Sequence, residues 1–193
     1  VVTKEGGEKL SGQLSYYCGD YFSHHTETFL NIDDFDPLGI SNLQTTISGP
    51  VPACGKKLSF FITGRYYNNE GWLFGQRIFN PSDSSNFEAP DPRDWYIEST
   101  GDSAIVPMNS YCKKTVQSKF TYKIAPNLKL SYEFLWDKID YRKYNHSFKY
   151  NPDGDYQHHK KGYTHLLIWN HTLSSKTFYT AKFSNFFFDY RKY

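Results

Sequence analysis

The side chains able to do chemistry in this chain sit in segments dense in Asn, Asp, His and aromatic residues. Asn31-Ile32-Asp33-Asp34-Phe35-Asp36-Pro37 packs three carboxylates into four residues, and oxygen ligands at alternate positions suit calcium. Asp33, Asp34 and Asp36 are therefore metal candidates, set against the preferred reading as a solvated acidic turn. Asn151-Pro152-Asp153-Gly154-Asp155 starts like a calcium loop, but the positions that follow hold Tyr, Gln, His, His and Lys instead of a bidentate Glu. Asn-Pro and Asp-Gly are ordinary turn dipeptides. His24-His25 and His158-His159 fall in expected loops, where two imidazole pairs could capture a transition metal or a chelate. Neither spacing preforms a site. His165 and His171 share a strand face with Leu167 and Trp169, which predicts sheet packing. The expectation is no metal and no cofactor.

The richest candidate ligand surface is the segment at about 69–114. It sets Trp72, Phe74, Phe79, Phe87, Trp95, Tyr96 and Tyr111 among Asn, Asp and Arg. Rings with polar neighbours suit stacking on sugars or gripping a peptide or chelate. A loop of this length also needs a small core of its own, which rings supply. No Ser/His/Asp arrangement or glycine-rich phosphate loop is present. Nothing marks Asp137 and Asp140 as a glycosidase pair, so no enzyme is expected. Cys18, Cys54 and Cys112 are odd in number and lack CxxC spacing, which implies neither a disulfide framework nor zinc.

The elements that must position these residues read as strands. Aromatic residues make up 19% of the chain, yet its mean hydropathy is −0.68. The two coexist because rings occupy every second residue of short runs. Leu128, Leu130, Tyr132, Phe134 and Trp136 fall on one side of such a run; Lys129, Ser131, Glu133 and Asp137 fall on the other, interrupted by Leu135. Comparable alternation predicts strands near 9–20, 42–49, 57–68, 115–125, 128–144, 163–173 and 177–190. Short connections, about 49–56, 126–127 and 174–176, alternate strictly with long ones, about 21–41, 69–114 and 145–162. In an antiparallel meander that places every long loop at one end, an asymmetry of outer-membrane barrels. Tyr16, Tyr17, Tyr66, Tyr67, Tyr141, Tyr144 and Tyr190 gather near that end, where an aromatic girdle belongs. A net charge of +2 argues against nucleic acid. No run approaches the ~18 apolar residues of a membrane helix. The opening VVTKEGGEKL lacks the charged start and apolar stretch of a secretory signal.

Several segments resemble TonB-dependent outer-membrane receptors. Val1-Val2-Thr3-Lys4-Glu5-Gly6 resembles the end of the plug domain, where the last plug strand passes into the barrel. Phe60-Phe61-Ile62-Thr63-Gly64-Arg65-Tyr66-Tyr67, Phe79-Asn80-Pro81-Ser82-Asp83-Ser84, Phe148-Lys149-Tyr150-Asn151-Pro152-Asp153-Gly154 and Phe178-Tyr179-Thr180-Ala181-Lys182-Phe183 resemble the early barrel. Members with a carboxypeptidase-regulatory-like domain before the plug are the most similar.

The resemblance implies an all-β fold: residues 1–8 close a plug, and 9–193 form an antiparallel meander of about seven strands, a partial barrel wall. It implies a segment of a longer protein of the cell outer membrane that takes up a nutrient. The TonB box and the closing strand lie outside the segment, and unpaired edges do not persist in lipid. Expected partners are outer-membrane lipid, the rest of the barrel with its plug, TonB through the absent amino-terminal region, and a surface lipoprotein. Arg65, Lys119, Lys123, Lys129 and Glu133 would face the lumen. The competing readings are a soluble extracellular β-sheet protein binding carbohydrate through its rings, and a complete small barrel. The last requires an even strand count, and seven strands are legible. A second sheet packed over the ring-rich face would decide for a soluble sandwich.

Overall fold

The computed structural model describes residues 4–193; Val1–Thr3 of the plug-like opening lie outside them. The chain runs through β1 (Ser11–Gly19), β2 (Ile40–Pro50) and β3 (Leu58–Asn69), then four short strands within the second long connection: β4 (Phe74–Gln76), β5 (Ser85–Asn86), β6 (Tyr96–Ile97) and β7 (Ile105–Pro107). It continues through β8 (Tyr111–Ala125), β9 (Leu128–Arg142), β10 (Gln157–Ser174) and β11 (Thr177–Lys192). The seven long strands form one antiparallel sheet in the order β1-β2-β3-β8-β9-β10-β11, so each pairs with its predecessor in that list. The sheet does not close on itself. The fold is all-β and the seven expected strands are present.

Two boundaries moved. β8 starts at Tyr111 and β10 at Gln157, earlier than alternation indicated. Both extensions are polar, so no apolar period marks them; they are strands because Tyr111 pairs with Tyr141 and Gln157 with Arg142. His158 and His159 therefore lie on β10 instead of in a loop, and the third long connection shortens to 143–156. Antiparallel pairing puts 20–39, 70–110 and 143–156 at one end. The turns 51–57, 126–127 and 175–176 lie at the other.

The register sorts the side chains into two faces. On one, Phe60, Phe120, Tyr132, Leu167 and Phe183 stand opposite one another across five adjacent strands. On the other, Arg65 faces Thr115, Lys119 faces Glu133 and Lys123 faces Lys129. Strand β11 is apolar on both sides, since Phe186 and Phe188 sit on the otherwise polar face. The expected girdle divides: Tyr16 and Tyr66 lie on the ring-rich face, whereas Tyr17, Tyr67, Tyr141 and Tyr190 lie on the polar one.

Burial is inverted relative to a water-soluble sheet. Among the described residues the buried hydrophobic side chains are Ile32 and Met108, both in long connections. The sheet's buried polar residues, Asn42, Lys119, Thr121, Ser131 and His158, all lie on the polar face. On the ring-rich face Leu14 is 72% exposed and Phe183 70%, and among the described residues no second sheet or helix packs over it. The accessible surface is 12971 Å², against about 9,500 Å² for a compact monomer of this mass.

Candidate functional site

All five residues expected to face a lumen share the polar face, and an approach from the amino-terminal segment links Lys119, Lys129 and Glu133 around Glu5. Gly6 lies so close to the Phe60 backbone that a Cβ there would overlap its carbonyl oxygen. This contact brings Glu5 onto the sheet, where its Oε1 accepts from Lys129 Nζ at 2.8 Å and lies 3.8 Å from Lys119 Nζ. Lys119 Nζ also meets Glu133 Oε1 at 3.0 Å. Lys119 is buried, and the two carboxylates compensate its desolvation. Arg65 donates through Nε to Asn42 Oδ1 at 2.7 Å. Lys123 and Lys129 line a recess of about 800 Å³ at the turn end with Glu8, Lys57, Asn127 and Asn170.

Partial burial pushes the Glu5 carboxyl up, and the Lys129 hydrogen bond with the charges of Lys129, Lys119 and Lys123 outweighs it, leaving it below its ordinary 4.5. A depressed carboxyl stabilises the docked segment above its unfolded pKa and loses that contribution as pH falls through the folded value. Amide exchange of residues 4–8 is therefore expected to accelerate below pH 4.5 relative to the strands, and Glu5→Gln to abolish the difference. Identical protection of the parent and Glu5→Gln across the titration would refute a role for Glu5 in docking the segment.

A row of rings crosses the same face at the loop end. Tyr67 lies 6.0 Å from Tyr111, Tyr111 6.4 Å from Tyr141, Tyr141 4.7 Å from His158, and His158 6.0 Å from Tyr190. The row thus joins β3, β8, β9, β10 and β11. Arg65 sits over the Tyr67 ring, and Lys160 over those of Tyr141 and Tyr190. Stacking of Tyr141 and Tyr190 on His158, tilted contacts along the tyrosines and the His158 Nδ1–Tyr190 hydroxyl bond of 2.6 Å engage these groups with one another. His159 points to the opposite face and bonds Asp140 at 2.7 Å. The adjacent histidines therefore cannot converge on one metal ion. Nothing in the sequence announced the row, because it depends on register across strands far apart in the chain.

At the loop end the second long connection holds the other two. Trp72 packs edge-on against Phe29 at 5.2 Å, and Asn69 Nδ2 of β3 reaches Tyr21 OH at 3.1 Å. The Gln76 N–H donates to Lys149 O at 2.8 Å, and those of Ile78 and Phe79 to Tyr150 O. Arg77 ties Asp153 at 2.6 Å and Asp102 at 2.9 Å. The carboxylates of Asp153, first, and Asp102 raise the guanidinium's already high pKa. The Ala104 N–H, followed by Arg77, holds Asp102 below the usual carboxylate range. Gly71 takes φ +87° over Asn109, whose side-chain oxygen accepts from the N–H groups of Trp72 and Leu73. Asp83 accepts from the Thr100 hydroxyl and from the N–H groups of Thr100 and Asn80.

The candidate ligand rings are thereby separated. Phe74, on β4, and Phe79 are half-buried; Trp72 is engaged with Phe29. Phe87, Trp95 and Tyr96 are exposed on the β5–β6 hairpin, with Phe87 and Trp95 edge-to-face at 6.0 Å and Trp95 Nε1 donating to Ala89 O. Of the acidic turn, Asp33 and Asp34 are exposed, while the Asp36 N–H donates to Asp20 Oδ2 and its Oδ1 accepts from the Leu38 N–H. Burial, with the charges of Asp36 and Asp20, raises the Glu70 carboxyl. Among the described residues no group of three or more His, Cys, Asp or Glu is placed to hold a metal ion. None of their helices is long and apolar enough to cross a membrane, which says nothing about crossing by strands. Compared with protein-family models, with curated proteins and with solved structures, the chain finds no match.

Proposed function

We propose that this chain is a stretch of outer-membrane β-barrel wall, with the ring-rich face in lipid and the polar face lining the interior. Within that class, the segments similar to TonB-dependent receptors, together with Glu5 reaching onto the polar face from a plug-like opening, favour a nutrient-uptake receptor of that kind. The observation that carries the reading is the inverted burial: rings exposed on an uncovered face, lysine and hydroxyls buried on the other. Water would penalise so large an apolar surface, whereas hydrocarbon rewards it.

Dimensions support it. β8 to β11 have 15, 15, 18 and 16 residues, well beyond the ~5–6 common in globular sheets and enough for the ~9–11 of a membrane strand. Leu128 to Trp136 spans about 27 Å along its strand, or about 20 Å in height at a ~45° tilt, near the ~25 Å of an outward apolar band. The two edges, β1 and β11, would be taken up by further strands, and no separate transport or catalysis is assigned to this stretch. The exposed rings Phe87, Trp95 and Tyr96 are the surface offered to an arriving nutrient.

Fractionation of the intact protein tests the reading. It is expected in the outer membrane, soluble only with detergent, and shifted in gel mobility by boiling. A protein that stays dispersed without detergent would overturn the wall in favour of a soluble, carbohydrate-binding sheet.

A further inference from the structure

On β8 to β11 the ring-rich face ends at one level. Val116, Trp136, Tyr163 and Phe187 form its last apolar row, one residue each from β8 to β11. The next row toward the long loops is Lys114, Lys138 and Lys161, directly opposite one another on β8, β9 and β10, followed by Asp189 on β11. Side chains so paired have Cβ atoms about 5 Å apart, and like charges in that relation repel. All three lysines are exposed. Lys138 reaches Asp140 at 3.2 Å, but that carboxylate also serves His159, and Asp189 is engaged by Arg191 at 2.9 Å. Lys114 lies over the Tyr66 ring, and Lys161 holds no ion pair among the described residues. Beside them opens a recess of about 510 Å³, lined by Lys138, His159, Lys161, Phe187, Asp189 and Arg191.

From this row we infer that the wall carries a docking surface for the phosphate-bearing headgroup of an outer-leaflet lipid. The inference rests on the barrel-wall reading. That reading puts long loops outside the cell, so the lysine row meets the outer leaflet where acyl chains give way to headgroups. Acyl chains lie along Trp136, Tyr163 and Phe187 while phosphates neutralise Lys114, Lys138 and Lys161. An anion shared among three registered lysines removes the repulsion their pairing creates, beyond what Asp140 offsets at Lys138.

The test uses the intact protein in neutral detergent, titrated with lipid A bearing two phosphates and with the same lipid after both are removed, bound lipid being read by native mass spectrometry. The parent is expected to prefer the phosphorylated lipid about tenfold or more, and Lys114→Gln/Lys138→Gln/Lys161→Gln to abolish that preference. Lys9→Gln/Lys57→Gln/Lys176→Gln removes equal charge at the turn end and is expected to keep it within about twofold. Should the triple variant not fold, Lys161→Gln alone is expected to weaken phosphorylated-lipid binding about fivefold. Equal retention of the two lipids by the parent, or an unchanged preference in a folded lysine variant, would overturn the docking surface. A protein needing no detergent would instead overturn the wall itself, whichever way the lipid titration fell.

Discussion

Leu167→Arg is expected to destabilise the protein in lipid vesicles by about 2–4 kcal/mol, the cost of a guanidinium at mid-bilayer on a barrel's outer face. Leu167 lies at mid-height of the ring-rich face between Tyr132 and Phe183. Its neighbour Leu166 points the other way, between Glu133 and Ser184. Leu166→Arg places the same charge beside a carboxylate and is expected to change stability by no more than about 1 kcal/mol. In water the order would differ: Leu167 is 42% exposed, and a surface substitution there would stay within about 0.5 kcal/mol. Urea titration of both variants in vesicles separates the two solvents. A Leu167→Arg protein as stable as its parent would sink the lipid-facing assignment.

The second large effect belongs to Met108, which is 1% exposed and ties down the loop end. Its N–H donates to Leu73 O at 2.8 Å, and a Cβ added to Gly75 would lie 2.6 Å from its sulfur. Met108→Ala leaves a cavity in a cluster with little other apolar content and is expected to cost about 2–5 kcal/mol locally. Met108→Leu conserves volume and is expected to cost less than about 1.5 kcal/mol. Proteolysis should then cut 70–110 and 143–156 faster in Met108→Ala, with β8 to β11 still protected from exchange. Simultaneous loss of protection in the strands would mean that Met108 supports the whole sheet and not the rim alone.

Strand existence, order and face were legible because alternation survives wherever one face is apolar. The Leu128 run sorts onto opposite faces as its period-two pattern predicts. Legibility failed where pattern and pairing part company. Gln157–Gly162 has no apolar period and is a strand only through β9 and β11; β5 and β6 are too short to have a period at all. The polar-face residues were individually identifiable, but the Glu5 contact with Lys129 joins positions 124 apart in sequence, a distance that local pattern does not carry. The ring row is hidden likewise: Tyr67 and Tyr190 look like girdle residues until register turns them to the other face.

The strand order has a kinetic consequence. Since every strand adds beside one already placed, the sheet can grow by zipping, one hairpin at a time. The turns at 126–127 and 175–176 close almost without loop entropy, so β8–β9 and β10–β11 are the natural nuclei. Joining β3 to β8 must bring together ends separated by the 70–110 connection, and is the slow step. The carboxy-terminal four strands would then exist as a sheet before the amino-terminal three are recruited, with the Glu5 contact forming last.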